Sequence, residues 1–378
     1  MRTTLRFSRL TFPLPAKTFL SRPVSAKMRR RPPARQRRLL GFFSALLFTF
    51  SAVLTYAQNY TSIVVFGDSL SDTGNVADLT QAKYGFRLPG PGPDFEFDYT
   101  DGRFTDGADT IPPARNYFGV WVEQLAATFP TKPVVKASLD GGTDYAYGFA
   151  TTGSGTGVFT FGPGDELSVK VKNIGQQISD YLATKPRINE KTLFIVWGGA
   201  IDILNATSNK DVINAAVDQA VNVQRLILAG ATQFIIPNLP PLGAVPRLNG
   251  SPTTSIPATK ASVLFNQTLG AGIAILRDFN PGRHLNLVQL NVFGLFNQII
   301  SSPSTYALVD VTTSSQGIST INPDTYLFWD DLHPTTRGHN ILAVTASKLI
   351  APQEIWTDSL LEERSQPGLV SSGVGGKN

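Results

Sequence analysis

Ser69 and the pair Asp330 and His333 are the residues of this 378-residue chain whose types and spacing can do chemistry. Ser69 follows an apolar run, Ser62 to Phe66 (SIVVF), within Gly67-Asp68-Ser69-Leu70-Ser71-Asp72-Thr73-Gly74-Asn75. Far downstream, Trp329-Asp330-Asp331-Leu332-His333-Pro334-Thr335 places a carboxylate three residues before an imidazole. On a turn, Asp330 can accept from His333 Nδ1–H and leave Nε2 to take a proton from a hydroxyl, the chemistry of acyl transfer. Singly, each residue has a plainer reading. Ser69 fits a polar turn capping a helix, and His333 fits a structural histidine beside a helix start.

Competing chemistries find less support. The chain has no Cys, which excludes disulfides and thiolate metal sites, and only two other histidines, His284 and His339. Those two lack ligand spacing, so no metal and no cofactor are expected, and His339 reads as a surface residue of the last helix. Gly153-Ser154-Gly155-Thr156-Gly157 lacks the Lys-Ser/Thr of a phosphate cradle and reads as a flexible loop. Asp68, Asp72, Asp330 and Asp331 invite comparison with paired glycosidase carboxylates. Asp330 is already used, however, and Asp331 beside it points the other way on extended backbone.

The elements that must hold these groups alternate. Strand patterns occur at Ser62 to Phe66, Thr192 to Trp197, Thr232 to Ile236 and Leu285 to Leu290. Helical patterns span Tyr117 to Phe129, Leu167 to Leu182, Asp211 to Ala229, Thr259 to Phe279 and Thr335 to Ile350; in the third, Ile213, Ala216, Val217, Ala220, Val223 and Ile227 share a face. Such alternation predicts one α/β domain with a parallel sheet covered on both sides and a site at the strands' C-terminal ends. Long stretches from Ala77 to Ala114 and from Gly141 to Gly164 read as loops.

Charge separates a leader from the rest. Twelve of the 33 Lys and Arg, and no Asp or Glu, lie in residues 1–58; the remaining 21 face 28 acidic residues, a balance of −7. Nucleic acid is therefore not an expected partner of the folded part. The basic leader runs into the uncharged segment Leu39 to Ala57, which reads as a secretory signal cut after Ala57, with Met28 as an alternative start. An uncleaved signal anchor is the rival, because nineteen residues approach the length that spans a bilayer. Edman sequencing of the mature product separates them: a first residue near Gln58 supports secretion and an intact leader refutes it. Sequons at Asn59, Asn205, Asn249 and Asn266 fit the secretory route. The organisation expected is a leader over 1–57, a catalytic domain over 58–353 and an unstructured tail over 354–378.

Together the first and last blocks resemble the GDSL, or SGNH, family of serine esterases and acylhydrolases. Gly67 to Asn75 carries the family's first block unbroken, and Asp330 to Thr335 its last. Gly102-Arg103-Phe104-Thr105-Asp106-Gly107, the Val120 to Glu123 stretch and Asn238-Leu239-Pro240-Pro241-Leu242-Gly243 resemble its intervening segments in order. The resemblance implies a flavodoxin-like three-layer α/β/α sandwich. It implies Ser69 as nucleophile, His333 as general base and Asp330 as its orienting partner. No Gly-x-Ser-x-Gly elbow surrounds Ser69, which argues against the ordinary α/β-hydrolase fold.

The implied oxyanion hole departs from the pattern. The family uses the N–H of the nucleophile, here Ser69, an N–H from a second-block Gly, here Gly148 followed by Phe149, and an Asn amide where this chain has Ile201. Losing one such donor costs about 10²- to 10³-fold in rate, so a slowed enzyme is expected. The nearest subgroup by resemblance is fungal secreted acetylesterases, which implies an acetylated carbohydrate substrate in a shallow pocket. Asp68, Tyr147, Phe149 and Trp329 are its candidate substrate contacts, and Tyr84, Phe86, Tyr99 and Tyr145 are further aromatics able to stack on sugars. A lipase or broad acylhydrolase is the neighbouring expectation. A non-catalytic carbohydrate-binding descendant of the fold, motivated by Ile201 and Phe149, is the alternative of another class. Oligomeric state stays open, and no membrane partner is expected unless the leader is kept as an anchor.

Overall fold

The structure is a computed structural model that describes residues 60–91, 98–107, 115–161, 167–318 and 320–350. The leader over 1–57 and the tail over 354–378 lie outside the described residues. Among the described residues, no helix is long and apolar enough to cross a membrane.

The central sheet is built from β1 (Ser62–Gly67), β4 (Thr192–Trp197), β5 (Gln233–Pro237) and β6 (Asn286–Leu290), in that spatial order and all parallel. β1 and β4 pair in register from Ser62 opposite Thr192 to Gly67 opposite Trp197, and Ile63 to Phe66 and all of β4 are buried. Sequence places all four strands to within a residue or so, because runs such as IVVF and LFIVW have no polar face to show solvent. On the far edge of β1, residues 143–147 run alongside it through Val65 N–H to Thr143 O (3.0 Å), Tyr145 N–H to Val65 O (2.8 Å) and Tyr147 N–H to Gly67 O (3.2 Å). That edge completes the strand order of a flavodoxin-like sheet.

The remaining named elements, numbered along the chain, are α1 (Asn75–Tyr84), α2 (Trp121–Thr128), the hairpin β2 (Thr156–Phe161) and β3 (Leu167–Lys172), α3 (Ile174–Ala183), α4 (Ala200–Asn205), α5 (Asn209–Leu228), α6 (Pro246–Asn249), α7 (Pro252–Phe279), α8 (Val292–Ser301), the pair β7 (Asp310–Ser314) and β8 (Tyr326–Phe328), and α9 (Thr336–Ile350). The large buried side chains of the core are Trp121, Trp197, Phe66, Phe194, Phe234 and Phe265.

Several expectations fail. The single helix predicted over Leu167 to Leu182 is a strand and then a helix: β3 pairs antiparallel with β2, and helical structure begins only at Ile174. Val169 and Val171 are buried with exposed Lys170 between them, a period of two. Consequently the stretch read as a loop from Gly141 contains β2, just as the one read from Ala77 opens inside α1. The face assigned to α5 is rotated. Val212, Ala216, Ala220, Val223 and Ile227 are buried, while Ile213 and Val217 are 39% and 47% exposed. α7 begins at Pro252, seven residues before the predicted start, with Ser251 Oγ accepting from Thr253 N–H, and it runs through Pro257. Finally, His339 is no surface residue. It is fully buried, its Nδ1 accepts from Trp121 N–H at 3.2 Å, and burial pushes its imidazole down to about 3.

Candidate active site

β1 delivers the serine. Its last residue must be small, because a Cβ on Gly67 would lie 2.8 Å from Trp197 O of β4. Both backbone polar groups of Gly67 are satisfied by Gln177 of α3, which donates to its oxygen at 2.8 Å and accepts from its N–H at 3.0 Å. Beyond it the chain turns, with Ser71 and Asp72 N–H donating to Asp68 O at 3.1 Å and Leu70 N–H to Asp68 Oδ1 at 3.1 Å. Ser69 stands at the apex of that turn.

The candidate acid–base pair sits on a tight loop between β8 and α9. Asp330 Oδ1 accepts from the N–H of Leu332 (2.7 Å) and of His333 (2.5 Å), so the carboxylate organises its own loop. Its Oδ2 lies 2.6 Å from His333 Nδ1, and His333 Nε2 lies 2.8 Å from Ser69 Oγ, across 264 residues of sequence. Both distances are within ordinary hydrogen-bond reach. Burial alone would raise the Asp330 carboxyl. The imidazole beside it and the two N–H groups outweigh burial and bring it down to about 2. Asp331 points away, in a bidentate pair with Arg247 at 2.8 and 2.9 Å.

Residues 98–107 clasp this loop. Thr105 Oγ1 donates to Pro334 O at 3.1 Å, and buried Asp106 binds Arg115 (2.6 Å) and accepts from Thr336 N–H at the start of α9. The Phe104 ring lies over His333, centroids 5.1 Å apart. Tyr99 OH donates to Asp330 Oδ2 at 2.8 Å. Sequence reasoning placed Tyr99 only among aromatics able to stack on sugar, since nothing local ties residue 99 to residue 330.

The oxyanion side is corrected at Gly148. Its N–H is committed to Asp72 Oδ2 at 2.9 Å, so it is no free donor. Glycine is needed here for another reason: a Cβ would meet the Phe104 ring at 2.5 Å. The next residue, Phe149, takes φ +67°, a left-handed conformation that costs a non-glycine residue roughly 1 kcal/mol. Among the described residues, neither Phe149 N–H nor Ser69 N–H donates to a protein acceptor, and both residues line the main cavity. Asp72 was legible as part of the first block and as one of four acidic candidates, not as the partner of Gly148. It also accepts from Gly74 and Asn75 N–H at 2.8 and 2.7 Å, clipping the start of α1 to the 148 turn. Ile201, 5% exposed, lines the cavity beside Ser69, with Leu204 and Asn205.

That cavity, of about 870 Å³, is walled by Leu88, Phe104, Phe149, Phe159, Phe161 and Leu248 besides the groups just named. Three of the four candidate substrate contacts do not line it. Tyr147 and Trp329 are core residues at 1% and 3% exposure. Asp68 is buried beneath the turn, bordering an adjoining cavity of about 30 Å³ that shares Ser69, Ile201, Leu332 and His333 with the main one, and burial pushes its carboxyl up to about 7. Phe149 does line it, as does Tyr99; Tyr84, Phe86 and Tyr145 do not.

Comparison with known proteins identifies the family. Over 346 residues the chain is 24% identical to phosphatidylcholine-sterol acyltransferase of Aeromonas hydrophila, covering 78% of this chain and 91% of that one. It is 26% identical over 362 residues to GDSL esterase/lipase EXL2 of Arabidopsis thaliana, covering 80% and 92%. A crystal structure of a catalytic mutant of an acetylxylan esterase from Geobacillus stearothermophilus aligns at 14% identity and a TM-score of 0.35, over 76% of this chain and 93% of that one, too loosely to carry weight. The model of the GDSL-like lipase/acylhydrolase family matches residues 63–344, and the chain belongs to that family of ester hydrolases.

Proposed function

We propose that Ser69, His333 and Asp330 hydrolyse a carboxylic ester through an acyl-enzyme. The observation that carries the reading is the continuous hydrogen-bonded line from Asp330 Oδ2 through His333 to Ser69 Oγ, at 2.6 and 2.8 Å. Ser69 Oγ attacks the carbonyl carbon as Nε2 takes its proton, and the imidazolium that forms is balanced by the Asp330 carboxylate. The carbonyl oxygen becomes an oxyanion, which the N–H groups of Ser69 and Phe149 receive. Collapse expels the alcohol, protonated by Nε2. Water activated by the same nitrogen then releases the acid.

For the acyl group, the acetylated-carbohydrate reading rests on the resemblance of the first and last blocks to fungal acetylesterases. A second reading, a lipase or broad acylhydrolase, is favoured by the cavity. An acetyl group leaves most of 870 Å³ unfilled, whereas a chain of eight or more carbons buries roughly 0.8 kcal/mol per CH₂ against the phenylalanine wall. Secretion is part of the proposal and rests on the basic leader and its apolar segment.

Two assays test the reading. A fluorophosphonate should label Ser69 in the wild type and not in Ser69→Ala; no labelling would leave the binding-protein alternative standing. p-Nitrophenyl octanoate should be turned over faster than the acetate, and the opposite order would restore the acetyl reading.

A further inference from the structure

We propose that Tyr99 is a positioning residue that shares Asp330 Oδ2 with His333 and weakens the carboxylate's grip on the imidazole. The inference builds on the catalytic reading of Ser69 and His333. The four donors to Asp330 divide cleanly. Oδ1 receives the two backbone N–H groups of its own loop, while Oδ2 receives His333 Nδ1 at 2.6 Å and Tyr99 OH at 2.8 Å. Tyr99 is thus, among the described residues, the one side chain besides His333 that donates to this carboxylate.

Its placement is built. Tyr99 forms an antiparallel bridge with Asp106, and its ring stands edge-on to Trp329 and Phe104, with centroids 6.4 and 6.3 Å away. Burial first, and Asp330 beside it second, push the hydroxyl well above its ordinary value, so it stays a protonated donor across the working range of an esterase. Two donors on one oxygen compete for its charge: the more Tyr99 draws, the less is left to hold a proton on His333. Other ionisable groups act on the relay through space: Asp68 and His339 on His333, Arg247 on Asp330 and Tyr99, and Asp331 on Tyr99. Arg247 of α6 is paired with Asp331, Asp68 lies in the turn after β1, and His339 of α9 is buried and held neutral. Among the described residues none of them hydrogen-bonds to Oδ2, so replacing the tyrosine hydroxyl removes one donor from that oxygen and leaves the hydrogen bonds of these groups in place.

The test reads His333 directly and does not need turnover. In protein labelled with ¹³C-histidine and carrying His284→Gln to remove the exposed imidazole, the Cε1 resonance of His333 is followed against pH. Tyr99→Phe should move its midpoint up by about half a pH unit, and 3-fluorotyrosine at position 99, a stronger donor that keeps ring and hydroxyl, should move it down. The acid limb of kcat/KM should follow in the same directions, with kcat falling about three- to tenfold in Tyr99→Phe and KM unchanged. Midpoints that stay put in both forms, or move together, overturn the proposal. So does a fall in kcat with the midpoint in place, which would make Tyr99 a packing residue. Because the titration needs no substrate, an absence of Ser69-dependent hydrolysis would sink the hydrolase reading while the midpoints still decide on Tyr99.

Discussion

The two sides of the proposed reaction centre are built to different standards. On the proton-relay side, Asp330 has four donors, His333 is fixed at both nitrogens, and the loop that carries them is tied to β8, α9 and residues 98–107. On the oxyanion side, Ile201 stands where an amide is usual, Gly148 N–H belongs to Asp72, and two backbone N–H groups remain. The contrast teaches where catalysis in this chain should be robust and where it should be limited. In the proposed reaction, proton transfer is over-determined, and charge stabilisation rests on the two backbone N–H groups.

Breaking the stronger side should have the largest effect. Ser69→Ala or His333→Ala should lower kcat for p-nitrophenyl esters by about 10⁴- to 10⁶-fold, and the double variant should cost little more, since the groups act as one unit. A drop of less than tenfold would mean that hydrolysis occurs elsewhere. Mending the weaker side comes next. Ile201→Asn should raise kcat by about 10- to 100-fold, part of what one such donor supplies. An unchanged rate in a folded variant would show that residue 201 does not face the oxyanion.

The wall opposite the relay gives a smaller change. Phe159 of β2 packs edge-on against Phe161 and Phe104 at 4.3 and 5.8 Å. Phe159→Ala should shift the octanoyl-to-acetyl ratio of kcat/KM by about 3- to 30-fold, within what a few methylenes decide. An unaltered ratio would place the acyl chain elsewhere.

The last prediction reads as stability. The Asp68 carboxyl, raised by burial to about 7, favours folding fully below its unfolded value of about 4, and that contribution is lost as pH rises through 7. Asp68→Asn keeps an acceptor for Leu70 N–H and removes the buried charge. It should stabilise the protein by about 2 to 4 kcal/mol at pH 8 and by almost nothing at pH 4, as thermal melts at the two values would reveal. Equal melting shifts at both would mean that the charge is not the cause.

Residues legible in the sequence share a property: their signal is local. An unbroken apolar run such as LFIVW declares a buried strand whatever surrounds it, and Asp330 and His333 sit on one turn. The misreadings mark where local pattern is ambiguous. Leu167 to Lys172 alternates with period two but runs without a break into the helical pattern from Ile174, and pairing with β2 marks where the strand ends. One face of α5 cannot be told from its neighbour until α7 packs on it, which leaves Ile213 and Val217 outside.

By itself, then, the sequence determined the parallel α/β frame, the turn that presents Ser69 and the Asp330–His333 unit, because burial patterns and short-range hydrogen bonds are fixed by neighbours in the chain. Tertiary structure alone decided that Ser69 and His333 meet, that Asp72 takes the Gly148 N–H, and that Tyr99 reaches Asp330. Each of these is a contact between segments 76 to 264 residues apart, and hydrogen-bond partners at that separation are set by how the layers stack.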